Sequence, residues 1–214
     1  MTLTITPATK GSERTFSGKS IQRIVLLVIY VALAARLSWL ADDALITLRT
    51  ALNLTHGWGA GFNAGEAVQA YTHPLWFLTW MGLGQLTGEW LLTVLVLGLV
   101  LSAIAVGLAL WVSPTSPAIA LTFAIVILSS AFMDYSTSGL ENPLGYLTVG
   151  VLFVVLFRSH ESLRRSGLII GVLVGLTTAA AILTRFDLAL LVLPVFAWYL
   201  LQVRSRARTL LVTL

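Results

Sequence analysis

The chain has 214 residues, of which 57% are apolar and only 10% charged, against about 25% charged residues in a soluble domain. Its formal charge of +4 would suit a nucleic-acid partner, but there is no basic patch interleaved with aromatics, which argues against nucleic-acid binding. Cysteine is absent, which removes disulfides, iron–sulfur clusters and thiol nucleophiles.

Residues 1–20 are polar and carry Lys10, Arg14 and Lys19. The apolar run 21–40 that follows is ~30 Å long as a helix, enough to span a bilayer and longer than a signal-peptide core. It reads as an uncleaved first membrane helix. A mixed stretch, 42–73, contains a helical piece at 44–55, a glycine-rich piece at 57–65 and a turn before Pro74. Apolar runs then occupy 74–86, 90–112, 118–133, 142–157, 166–184 and 188–203, joined by short connectors.

The run 74–86 is ~20 Å long as a helix, against a hydrocarbon core of ~30 Å. It is expected to dip into the membrane or lie along it without crossing. Ten of the 13 basic residues fall in the tail with Arg23, in the loop 158–165 and in the segment 204–208. Six crossings put all three clusters on one side, which the positive-inside rule makes the cytoplasm. The predicted fold is therefore all-α, a polytopic transmembrane helix bundle. About six helices span, with interfacial or re-entrant helices in the first outer loop, 41–89. Residues 1–20 form a cytoplasmic tail and 21–214 one transmembrane domain in the cell membrane. On this map Asp42, Asp43, Glu66, Glu89, Asp134, Glu141 and Asp187 all reach the outer face, where chemistry is expected.

Asp42 and Asp43 directly follow the first helix. Two adjacent carboxylates at a low-dielectric boundary raise one another's pKa, which suits a general base or a cation site. The plainer alternative is a helix N-cap. Arg49 could hold a phosphate or reach to lipid head groups. Arg185 and Asp187 flank Phe186 and read either as an ion pair or as an anchor for a lipid phosphate. His56 and His73 lie too far apart in sequence for a typical ligand set, so no metal site is predicted and no cofactor is implied. Asn53-Leu54-Thr55 matches a glycosylation acceptor, read as a chance match beside the membrane. Trp58, Trp76, Trp80 and Trp90 gather near the outer interface, as an aromatic belt or as a sugar-stacking platform.

The stretch LADDALITLRTALNLTHGWGAGFNAGEAVQAYTHPLW (40–76) resembles the first outer loop of the GT-C class of membrane glycosyltransferases, which use polyprenyl-phosphate sugars. STSGLENPL (136–144) and LTRFDLALLVLP (183–194) agree with it. Within that class the likeness is to the actinobacterial arabinofuranosyltransferases of cell-wall arabinan. The resemblance implies a helical core with an outer catalytic loop, a decaprenyl-phosphate-linked sugar donor, arabinofuranose as the sugar, and a cell-wall glycan acceptor. It implies Asp42 or Asp43 as general base and Arg49 and Arg185 at the donor phosphate. Glu66 and Glu141 would line the site, with His73 and Asp187 beside them. Members of that class are longer, so a truncated form is expected. A non-catalytic membrane fragment, a partner subunit and a transporter stay open as alternatives.

Overall fold

The computed structural model describes residues 17–66, 68–162 and 167–212, and side chains for 17–66, 68–157 and 169–203. Lys10 and Arg14 of the tail, the side chains of the 158–165 basic cluster and those of the 204–208 cluster lie outside the described residues. The helices are α1 (Gly18–Arg36), α2 (Asp42–Thr55), α3 (Pro74–Thr87), α4 (Trp90–Val112) and α5 (Ser116–Leu128). They continue as α6 (Ser130–Asp134), α7 (Asn142–Ser162), α8 (Gly167–Thr184) and α9 (Ala189–Val212), with a 3₁₀ turn, Phe186–Leu188, before α9. Among the described residues, β pairing is limited to an isolated bridge between Gly61 and Gln69.

The architecture is the expected all-α polytopic bundle. Helices α1 and α4 and the segment Phe186–Val203 are long and apolar enough to cross a membrane. Ser116–Leu128, Asn142–Phe157 and Ile169–Thr184 are apolar but shorter. Helix α3 has 14 residues, ~21 Å of rise, which falls short of the hydrocarbon thickness. Outward faces are apolar: Ile24 and Val28 on α1, Leu121 and Ile125 on α5, Leu176 on α8 and Leu190 on α9 are all exposed. Faces of this kind are unfavourable in water and are solvated by acyl chains, which makes a bilayer the natural solvent.

Three local details differ from the sequence expectation. Helix α1 stops at Arg36 rather than at residue 40. The chain beyond it is tied down by Trp39, whose Nε1 donates to the Asp134 carbonyl at 2.8 Å, and by Ala41, whose N–H donates to the Ser138 carbonyl at 2.9 Å. Helix α2 begins at Asp42, with Ala41 as its N-cap and no capping side chain. Both aspartates therefore sit in the first turn, at the positive end of the helix dipole, and neither caps by hydrogen bond. The run 118–133 is broken at Ser129, whose backbone is extended and whose hydroxyl accepts from the Phe132 N–H to start α6. A serine hydroxyl offers the backbone a local partner that competes with the helix.

The core has three parts. Tyr30 and Ala34 of α1 meet Val106, Leu110, Ile119 and Met133. Leu152 of α7 packs with Ile170, Val174, Ala181, Val192 and Tyr199. Ala44 of α2, Trp76 and Trp80 of α3 and Val94 of α4 form the third. One end of the bundle is marked by Lys19 and Arg23, which donate to the carbonyls of Pro114, Leu110 and Ser113 at 2.8–3.0 Å, cations against the C-terminal end of α4. At the other end Asp43, Asp134, Glu141 and Asp187 come from loops and helix ends that touch one another.

Candidate active site

The site begins with a rigid loop. Residues Ser136, Thr137 and Ser138 are buried. Neighbours bond to Ser136 and Ser138, whereas the buried Thr137 hydroxyl has no hydrogen-bond partner among the described residues. Tyr30 Oη donates to Ser136 Oγ at 2.8 Å, and Ser136 Oγ donates to the Phe132 carbonyl at 2.6 Å. Trp76 Nε1 donates to the Gly139 carbonyl at 3.1 Å. Gly139 has φ +79°, and a Cβ there would lie 2.8–2.9 Å from Leu40 Cδ2 and Ala44 Cβ. Only glycine lets the loop turn this close to α2. The STSGLE segment is thus a pinned turn whose last residue, Glu141, has a side chain 12% exposed.

From Glu141 a chain of polar contacts runs both ways. Its Oε2 lies 3.5 Å from His73 Nδ1, and His73 Nε2 is 3.0 Å from Thr47 Oγ1. Its Oε1 lies 3.6 Å from Arg185 Nε. Arg185 is held as a fork: Nε and Nη2 donate to the two Asp187 carboxylate oxygens at 3.0 and 2.7 Å, and Nη1 donates to Asn142 Oδ1 at 2.9 Å. Pro74 keeps His73 out of helix α3, with φ −129° and ψ 70°, since the residue before proline is pushed to extended backbone. Burial pushes the His73 imidazole below its ordinary 6.5, opposed by Glu141 and reinforced by Arg185. The bonds to Asp187 hold the Arg185 guanidinium above its ordinary value, so it stays a cation.

This chain of contacts borders a polar cavity of about 490 Å³, lined among others by Asp43, Thr47, Tyr71, Tyr135, Glu141 and Arg185. On its far side Arg185 and Asn142 also line a second cavity of about 550 Å³, otherwise walled by apolar side chains of α4, α5, α6, α7 and α9 and by Tyr146 and Asp187. That groove shares Ala105, Ala109 and Gly150 with a further apolar cavity of about 480 Å³ that reaches Phe157. The polar chamber and the apolar groove therefore share Arg185 and Asn142 as a common wall.

Of the predicted site residues, Asp43, His73, Glu141 and Arg185 line the polar cavity, and Asp187 joins through its ion pair. Asp42 is exposed outside that lining. Arg49 stacks over the Phe62 ring at 4.3 Å. Glu66 accepts from Asn63 Nδ2 at 3.0 Å and lines a separate pocket. Thr47, Tyr71, Tyr135 and Asn142 went unnoticed in the sequence, since neutral polar residues raise no charge signal. Thr47 was findable, because it lies four residues after Asp43 and so on the same helix face. Among the described residues no three carboxylate or imidazole groups cluster as a metal site.

Comparison with known proteins bears on this arrangement. Over 192 residues, 82% of this chain, the sequence is 30% identical to the terminal β-(1→2)-arabinofuranosyltransferase of Mycobacterium tuberculosis. The chain is related in sequence to the terminal β-(1→2)-arabinofuranosyltransferases. The Corynebacterium glutamicum protein of that name is 58% identical over a 38-residue stretch, 18% of this chain and 6% of that protein. This arabinofuranosyltransferase-like chain spans 30% of the length of the mycobacterial relative. No family model matches the chain, and no solved structure matches it.

Proposed function

We propose that the chain forms the donor site and catalytic face of a membrane glycosyltransferase. In this reading it transfers arabinofuranose from decaprenyl phosphate to a cell-wall glycan on the outer face of the plasma membrane. The N-terminus is cytoplasmic and the bundle crosses six times. The observation that carries the proposal is the junction at Arg185 and Asn142, between a polar chamber and an apolar groove. A polyprenyl-phosphate sugar has the matching shape: the tail fits the groove, the phosphate meets the guanidinium fork, and the sugar enters the chamber.

The chemistry follows from the lining. A sugar on a lipid phosphate is already activated, so the protein needs no nucleotide site. Asp43 takes the proton from the acceptor hydroxyl as its oxygen attacks the anomeric carbon. The bond from that carbon to the phosphate oxygen breaks, and Arg185 stabilises the charge gathering on the departing phosphate. Glu141 and Asp187 hold Arg185 in place, and His73 holds Glu141 through its other nitrogen.

The test is transfer of labelled arabinose from decaprenyl-phosphoarabinose to an arabinan oligosaccharide by the chain reconstituted in vesicles. Asp43→Asn is expected to lower the rate about 10²–10⁴-fold, and Asp42→Asn much less, since Asp42 does not line the chamber. No transfer above empty vesicles, or equal rates for Asp43→Asn and the unaltered chain, would sink the proposal.

A further inference from the structure

Beside the reaction chamber lies another cavity of about 550 Å³, walled among others by Trp58, Glu66, Gln69, Tyr71 and Pro74. Tyr71 also lines the polar chamber, so the two cavities share a wall. We infer that this second cavity is a subsite for a neutral oligosaccharide, holding the acceptor chain behind the sugar that reacts. The inference rests on the proposed transferase reading and adds to it where the acceptor lies.

Five tryptophans fall near this end of the bundle. Trp39 is tied to the Asp134 carbonyl through its Nε1, and the structure separates the other four. Trp76 and Trp80 are fully buried, with Nε1 donated to the carbonyls of Gly139 and Trp90. Trp90 is half-buried and lies against Gly84, which has no room for a Cβ. These three are structural. Trp58 is different: its side chain borders the cavity and the residue is 57% exposed. Its backbone is nevertheless fixed. Trp58 N–H donates to the Asn53 carbonyl at 2.9 Å, and its ring stacks on His56 with centroids 5.1 Å apart. An indole held on a fixed backbone, backed on one face by an imidazole, offers a pre-formed stacking surface.

The surrounding loop is built to stay put. The Asn53 side chain is buried and donates to the carbonyls of Gly61 and Phe62 at 2.9 and 3.0 Å. Its amide is thereby committed to the loop, which agrees with reading the Asn53 sequon as chance. Gly61 pairs with Gln69, and a Cβ on it would meet the Glu66 carbonyl oxygen at 2.5 Å. Tyr71 stacks on Phe77 with centroids 4.2 Å apart.

The lining also states the ligand's chemistry. An apolar indole face suits the C–H face of a sugar ring, and a carboxylate, a carboxamide and a phenol suit its hydroxyls. Among the described residues around the cavity there is a carboxylate and no cationic side chain. A phosphorylated or uronic glycan is therefore disfavoured. The volume falls in the roughly 300–1,000 Å³ range of small-molecule pockets, and Tyr71 separates it from the chamber that Asp43 lines.

The experiment titrates the chain in nanodiscs with a synthetic arabinofuranose hexasaccharide, with methyl arabinofuranoside and, separately, with decaprenyl phosphate. Trp58→Ala is expected to weaken hexasaccharide binding about tenfold, to change methyl arabinofuranoside little and to leave decaprenyl phosphate unchanged. Trp58→Phe is expected to recover most of the loss. Unchanged decaprenyl phosphate binding also certifies that the variant is folded. Equal hexasaccharide affinity for Trp58→Ala and the unaltered chain overturns the subsite. Trp58-dependent hexasaccharide binding without any sugar transfer supports the subsite and sinks the catalytic reading. Transfer whose KM for the hexasaccharide ignores Trp58 does the reverse.

Discussion

The polar chamber and the apolar groove that meet at Arg185 solve opposite problems with the same few helices. The chamber keeps its charges by pairing them: Glu141 faces both His73 and Arg185, and Arg185 is shared between Asp187 and Asn142. The groove keeps its space by leaving side chains out. Gly145, Gly150, Ala105 and Ala109 line it, and a Cβ at Gly150 would have nothing within 4 Å. Order in the first therefore depends on specific partners, whereas the second depends on small residues facing one another. The two should fail differently when mutated.

Arg185 is where the contrast is sharpest, and its loss is expected to have the largest effect. Arg185→Met removes the cation from three acceptors, and decaprenyl phosphate binding by the chain in nanodiscs should fall about 100-fold. Arg185→Lys should recover only part, because an ammonium cannot bond Asp187 and Asn142 as a planar fork. If the lysine variant binds like the unaltered chain, the fork geometry is irrelevant. A groove mutation should act on tail length instead. Gly150→Leu places a side chain in open space within α7, where replacing glycine also favours the helix by up to about 1 kcal/mol. The protein should stay folded, with binding of the long-chain lipid weakened about tenfold and that of a short-chain polyprenyl phosphate unchanged. Equal losses for both chain lengths would show that the groove does not hold the tail.

The same contrast explains how much could be read from the sequence. Long apolar runs announced most of the bundle, because a helix buried in lipid needs an uncharged stretch of fixed length. The break at Ser129 was missed, since one hydroxyl bonded to a nearby N–H leaves the hydropathy pattern intact. Charged members of the site were legible one by one: Asp43, Glu141 and Arg185 stood out against a background almost without charge. Their division of labour was not. Arg49 lies six residues, or about 240° of helix rotation, beyond Asp43, so both cannot face one chamber, and Arg49 stacks on Phe62 instead. The groove was invisible, because small residues in an apolar run look the same whether they face a neighbouring helix or an empty channel. The chemical identity of the tryptophans said nothing about which one would remain exposed.

The gentlest probe of the contrast is pH, because a histidine lines the chamber and, among the described residues, none lines the groove. Burial holds His73 below 6.5, the value its imidazole has in the unfolded chain, and Arg185 adds to the effect against the pull of Glu141. Between the lowered folded value and 6.5 the unfolded chain binds more protons than the folded one. Stability therefore rises with pH across that window, is complete above it, and is lost as the solution is acidified through it. The melting temperature of the detergent-solubilised chain should fall by a few degrees between about pH 7 and pH 5. In His73→Gln the amide can still reach Thr47 but cannot take up a proton, so the fall should flatten. Gly150→Leu should leave the slope unchanged, since nothing lining the groove near residue 150 ionises in this range. A slope that survives in His73→Gln would move the acid sensitivity to another group and leave the imidazole as a plain hydrogen-bonding spacer between Thr47 and Glu141.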